Sequence, residues 1–125
     1  MAQARLPLKP PPSVVLVVDD EPLVRLVAAE TLRDEGFTVY EAADAAEALD
    51  VMAHHAEVGL VFTDIDMPGM SGMELAVEIR RRRPDVRCLL TSGRPRPQGE
   101  PRDSNFLPKP YSLDGLGDQV RRSAA

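Results

Sequence analysis

Five side chains could do chemistry together if the fold brings them to one place. Asp19 and Asp20 follow the apolar run "SVVLVV", Asp64 closes "VGLVFTD", Thr91 closes "VRCLLT", and Lys109 closes "NFLPK". Three carboxylates in one cleft repel one another and need a cation. Oxygen-only ligands on loops favour a hard divalent ion, here Mg²⁺ with several retained waters. A carboxylate beside such an ion and an ammonium group is equipped for a phosphoryl group. Asp64 would attack phosphorus, while the metal and Lys109 neutralise charge on the phosphoryl oxygens. An acid at the end of an apolar strand carries a desolvation cost. The stretch "LVFTDIDMPGMSG" is therefore informative: Pro68 and Gly69 are expected to turn the chain so that Asp64 stays uncovered by the next helix. Helix capping is the plainer explanation for acids at strand ends. It serves Asp19 or Asp20 taken singly, but neither Asp64 nor Lys109 begins a helix directly.

The elements that must position these residues are legible as hydrophobic patterns. "SVVLVV" is continuous rather than alternating, as in a central parallel strand buried on both faces. Pro22 suits a helix first turn, and "PLVRLVAAETLRDEG" carries Leu23, Val24, Val27, Ala28 and Leu32 at helical spacing before Gly36 stops it. "FTVYEA" (37–42) alternates like an edge strand. "DAAEALDVMAHH" is a helix with Asp44 as its N-cap and Ala48, Leu49 and Met52 on one side. Val58–Asp64 is the third strand, and Gly72–Arg83 the third helix, with Leu75, Ala76 and Ile79 inward and Pro84 as its stop. Val86–Thr91 is the fourth strand, Asn105–Lys109 a short fifth, and "SLDGLGDQVRRS" a last helix weakened by Gly115 and Gly117. Strand and helix alternate, so the class is α/β with a parallel sheet. In such sheets function collects at the carboxyl ends of the strands, where strand order reverses. The rhythm breaks once. The fourteen residues "SGRPRPQGEPRDSN" hold three prolines and two glycines, which predicts an irregular crossover with at most one helical turn.

Composition narrows the possibilities. A chain of 125 residues suits one domain. Residues 1–12, with Pro7, Pro10, Pro11 and Pro12, read as a mobile Pro-rich tail, and 13–123 as the domain. A net charge of −5 argues against nucleic acid as a direct partner. The basic run Arg80–Arg83 is expected to be a solvated helix end. No apolar run is long enough to span a membrane, and none resembles a signal peptide, so a cytoplasmic location is expected. Cys88 reads as a buried small hydrophobe, and His54 and His55 as surface residues without metal-ligand spacing.

Together, "VVDDE", "FTDIDMPGMSG", "LLTSG" and "FLPKPY" resemble, in order and spacing, the signatures of the response-regulator receiver domain of two-component signalling. The chain is further similar to stand-alone receivers with a Pro-rich stretch before "FLPKPY". The resemblance covers about residues 13–123 and implies a flavodoxin-like sheet of order 2-1-3-4-5 with the fourth helix absent or reduced. It implies that Asp64 is the phosphoacceptor. Asp19 and Asp20 would be metal acids for Mg²⁺, Asp20 ligating directly, with Asp64 and the backbone carbonyl of Asp66 completing the set. Thr91 would be the switch hydroxyl, Lys109 the phosphate-binding lysine after a cis bond to Pro110, and Phe106 the switch aromatic. Asp66 and Gly93 would occupy the two positions that set phosphoryl lifetime. The implied donor is a histidine kinase or phosphotransfer protein, and output passes by protein contact to an unknown downstream protein. The chain is expected to be a monomer or weak homodimer, and not an enzyme beyond slow autodephosphorylation.

Two rivals share some of these features. "LVFTDIDMP" also looks like the start of a haloacid-dehalogenase phosphatase, with Asp64 as nucleophile and Asp66 as general acid. That family expects Thr where this chain has Pro68, and its metal acids come late in the chain. A receiver-shaped module that is never phosphorylated is the other rival, and the complete set of five residues argues against it.

Overall fold

Successive residues of a strand point to opposite faces, so an uninterrupted apolar run needs a core on each side. A computed structural model describes residues 13–95 and 104–124 and shows both cores. In chain order the elements are β1 (Val14–Val18), α1 (Pro22–Asp34), β2 (Thr38–Ala42), α2 (Ala45–His54), β3 (Leu60–Asp64), α3 (Gly72–Arg82), β4 (Arg87–Ser92), β5 (Ser104–Pro108) and α4 (Leu116–Ala124). All pairings are parallel, and the order is β2-β1-β3-β4-β5. Leu16, Val18, Val61 and Leu90 go to one face, against Ala48 and Met52 of α2 and Leu75, Ala76 and Ile79 of α3. Val15, Val17, Leu60, Phe62 and Leu89 go to the other, against Ala28, Ala29 and Leu32 of α1 and Leu116 and Val120 of α4. Each fully buried Val, Leu or Phe contributes about 1.5–3 kcal/mol, which is why the middles of the central strands are apolar.

Local signals place the helix ends. Asp44 caps α2 by accepting from the Glu47 amide, and Ser71 and Glu74 form a capping box on α3. Gly36, at φ 97°, follows α1. Its amide and that of Phe37 reach the carbonyls of Arg33 and Leu32, the two bonds of a Schellman ending.

Three details differ from the sequence reading. The last helix begins at Leu116 rather than Ser112, because Leu113–Gly115 form a bend and turn. The predicted apolar stripe of α1 is only partly inward: Ala28, Ala29 and Leu32 are buried, whereas Leu23 is 75% and Val27 44% exposed. The basic run is not wholly solvated either. Arg81 and Arg82 pair with Glu78, but Arg83 donates to the carbonyls of Ala56 and Val58 and ties α3 to the loop before β3. The tail expected over 1–12 lies outside the described residues, as does most of the irregular crossover (96–103). Among the described residues no helix lies between β4 and β5. Also among them, no helix is long and apolar enough to cross a membrane.

Candidate functional site

The sheet order sends the chain from β1 outward to β2 and then back across β1 to β3, so the reversal lies between β1 and β3. Register does the rest. Val18 pairs with Thr63, Asp64 with Thr91, and Ser92 with Pro108. Each candidate residue therefore sits within two positions of a strand end along one rim.

Asp19, Asp20 and Asp64 each offer a carboxylate oxygen within 4.8 Å of the others. Lys109 Nζ lies 3.3 Å from Asp19 Oδ2, 3.5 Å from Asp64 Oδ2 and 3.8 Å from Glu21 Oε1. The Lys109 amide is held by the Ser92 carbonyl, and the Lys109–Pro110 bond is cis. Asp20, Glu21, Asp64, Asp66, Gly93 and Lys109 line a cleft of about 410 Å³ over this rim. Asp64 is less open than expected. It is only 4% exposed and forms the cleft floor, because the chain after it folds back: the Gly72 amide bonds to the Ile65 carbonyl and brings the start of α3 against the Asp64 backbone.

The electrostatics follow from that burial. Desolvation raises the Asp64 pKa from 3.8 to about 6; Lys109 opposes the shift and Asp19 adds to it. Burial works against the Lys109 charge, but Asp19, Asp64 and Glu21 outweigh it and raise its pKa. Cys88, by contrast, is pushed up by burial to about 12 and is an inert core thiol.

The donor set fits a hard dication: three carboxylates, all oxygen, converge with one ammonium among them. Thr91 adds a second mark of an incomplete site. It is 2% exposed, and its Oγ1 has no hydrogen-bond partner. A buried unsatisfied hydroxyl costs about 1–3 kcal/mol. Thr91→Val keeps the shape and removes the cost, so it is expected to raise the unfolding free energy by about 1 kcal/mol in metal-free urea titrations. A loss of that size would mean that the hydroxyl is already bonded.

A comparison with known proteins decides what this rim belongs to: the response regulator receiver domain family matches residues 15–121. The chain is a member of that family. The receiver is 38% identical over 115 residues to the sensor kinase CckA of Brucella abortus (strain 2308), covering 87% of this chain and 12% of CckA. It spans about half or less of the other curated relatives, which are longer proteins. Among solved structures, the receiver domain of the hybrid histidine kinase CckA superposes with a TM-score of 0.77 at 32% identity, over 90% of this chain and 99% of that one. TrrA of Thermotoga maritima, solved with Mg²⁺–BeF, gives 0.78 at 32% identity, over 89% and 98%. Receiver domains are signalling modules that bind Mg²⁺ at an acidic pocket and interact with histidine kinases and downstream effectors. In this receiver Asp19, Asp20 and Asp64 are the acidic cluster.

The sequence reading named the residues that meet at the rim, Asp66 among them by its backbone carbonyl, but missed the side-chain contacts around it. Asp66 projects its carboxylate to Ser92 Oγ, 2.5 Å away, with Arg94 Nε at 3.8 Å. Glu21 joins Lys109, and Arg25 reaches the Asp19 carbonyl. Only the "DDE" triplet hinted at Glu21. The other contacts depend on loop geometry.

Proposed function

We propose that this receiver takes a phosphoryl group onto Asp64 from a phosphohistidine on a kinase or phosphotransfer protein and transmits the event by protein contact. An Asp64 carboxylate oxygen attacks phosphorus, the P–N bond to the donor imidazole breaks, and its electron pair stays with that nitrogen, which is then protonated. Lys109 stays charged and holds a phosphoryl oxygen. The Thr91 hydroxyl donates to another and gains the partner it lacks. Phe106, half-buried against the α2–α3 face and in register with Leu90 beside Thr91, turns inward as Thr91 moves. Asp19, Asp20 and Asp64, with the Asp66 backbone carbonyl, would hold Mg²⁺, which supplies charge neutralisation at the phosphoryl oxygens.

The observation that carries this reading is the unpartnered Thr91 hydroxyl, buried one strand from Asp64 at a rim that also holds Lys109. A merely structural site would have satisfied it. A second feature supports a protein donor. An apolar groove of about 720 Å³, lined by Leu23, Val24, Val27, Tyr111 and Leu113, shares Gly93 and Lys109 with the cleft. It is where the outward half of the α1 stripe finds its use.

Intact-mass measurement after incubation with acetyl phosphate and Mg²⁺ tests the proposal. The protein is expected to gain the mass of one phosphoryl group, and to gain none when EDTA replaces the metal. An unchanged mass at saturating Mg²⁺ would leave a receiver-shaped binding module. Continuous turnover of a phosphomonoester would instead favour a phosphatase.

A further inference from the structure

Asp20 contributes an oxygen to the acidic cluster, yet it is exposed, and no side-chain hydrogen bond among the described residues holds its carboxylate. Its aim therefore depends on the backbone that presents it. The carbonyl of Asp19 and the amide of Asp20 share one planar peptide, so fixing that carbonyl restricts the torsions on either side of it.

The Asp19 carbonyl is where β1 leaves the sheet. The Asp19 amide still bonds to the Ala42 carbonyl of β2, at 3.1 Å. The carbonyl is taken by a side chain: Arg25 Nη1 donates to it at 2.8 Å. Arg25 is anchored in turn, since its Nε lies 3.2 Å from Glu41 Oε1 on β2. The other Glu41 oxygen is 3.2 Å from Arg33 Nη1, and Arg33 Nη2 donates to the Val39 carbonyl at 2.8 Å. Arg25 and Glu41 are 19% and 26% exposed, sheltered enough for the pair to hold a fixed geometry.

We propose that Arg25, braced by Glu41, is a positioning residue for the acidic cluster: it fixes the Asp19–Asp20 peptide so that the Asp20 carboxylate faces Asp19 and Asp64. This rests on reading the cluster as a Mg²⁺ site. Geometry and charge predict opposite signs here. Removing a cation from beside three acids strengthens Mg²⁺ binding if charge alone matters, and removing a brace weakens it.

The experiment is a titration of the 125-residue protein with MgCl₂, followed by amide chemical shifts of Asp20 and Asp64, in wild type, Arg25→Ala and Arg25→Lys. Arg25→Ala is expected to weaken Mg²⁺ binding about tenfold, the scale at which residues behind metal ligands act. Arg25→Lys is expected to fall between the two, because one ammonium replaces the carbonyl contact without the fork to Glu41. A metal-free readout accompanies it. The Glu21 amide, bonded to Asp19 Oδ1 at 2.9 Å, is expected to exchange its hydrogen faster in Arg25→Ala while amides of β3 do not. Unchanged or tighter Mg²⁺ binding in Arg25→Ala overturns the proposal, as does faster exchange spread over the whole sheet, which would mark a general loss of stability. Failure of the phosphoryl reading is separate: it shows as no mass gain in wild type, whereas the Mg²⁺ titration still decides the role of Arg25.

Discussion

Asp64→Asn is expected to abolish phosphoryl uptake and, in the metal-free protein at pH 8, to make the fold more stable. The two effects share one cause, a carboxylate that burial leaves poorly solvated. Its pKa in the folded protein is about 6, against 3.8 for an ordinary aspartate. The folded state therefore binds the proton more tightly than the unfolded state. The stability linked to this group is fully present below pH 4, and it is lost as pH rises through the interval up to 6. Above pH 6 the ionised carboxylate costs about 3 kcal/mol, from 1.36 kcal/mol per pKa unit. Asn carries no charge at any pH, so its advantage over Asp64 should be close to that value at pH 8 and should vanish near pH 4. Mg²⁺ should shrink the advantage as well, since a dication held by Asp19, Asp20 and Asp64 would stabilise the wild type more than a variant that has lost one of the three carboxylates. Urea denaturation of both proteins at pH 4 and pH 8, with and without MgCl₂, checks each part. Equal stability at pH 8 without metal would show that Asp64 is solvated and the cleft floor misread.

Gly72→Ala is expected to destabilise the fold by about 2–3 kcal/mol, at the upper end of what forced overpacking costs. Gly72 opens α3, and there an alanine would ordinarily help, by up to about 1 kcal/mol. Here a methyl group would overlap the Asp64 carbonyl oxygen and lie 2.8 Å from its carbon and 2.9 Å from Ile65 Cα. These are backbone atoms at the end of β3 and just after it and cannot rotate away, so the clash outweighs the propensity. Relief would have to come from moving α3 or the Asp64 peptide itself. The variant should therefore also take up phosphoryl groups more slowly than its stability explains. A lower urea midpoint with an unchanged m-value is the expected result. An unchanged midpoint would mean that α3 slides freely against β3.

These predictions also show what the sequence could and could not disclose. β1, β3 and β4 were legible because an unbroken apolar run has one economical use, a strand between two cores. The five rim residues were legible because a polar residue closing such a run stands out, and a parallel sheet puts all the strand ends on one side. Asp64 was expected to be uncovered because Pro68 and Gly69 announce a turn. How far that turn folds back is set by the Gly72 contact, which joins residues through space and leaves no periodic trace. The α1 stripe misled for a related reason: helical spacing identifies an apolar face, but not whether the sheet or a groove receives it. Arg25 and Glu41 were invisible since each reads alone as an ordinary surface charge. Their pairing, across sixteen positions, needs α1 packed against β2.

Asp64, Thr91 and Lys109 are proposed to form one receptor for a phosphoryl group, beside acids that would bind Mg²⁺. A crystal structure of the protein with Mg²⁺ and beryllofluoride, a phosphoryl mimic, tests it most directly. Beryllium is expected bonded to an Asp64 oxygen, with fluorines within hydrogen-bonding distance of Thr91 Oγ1 and Lys109 Nζ and the metal between Asp20 and Asp64. Beryllofluoride bound elsewhere, or bound at Asp64 with the Thr91 hydroxyl still unpartnered, would contradict it.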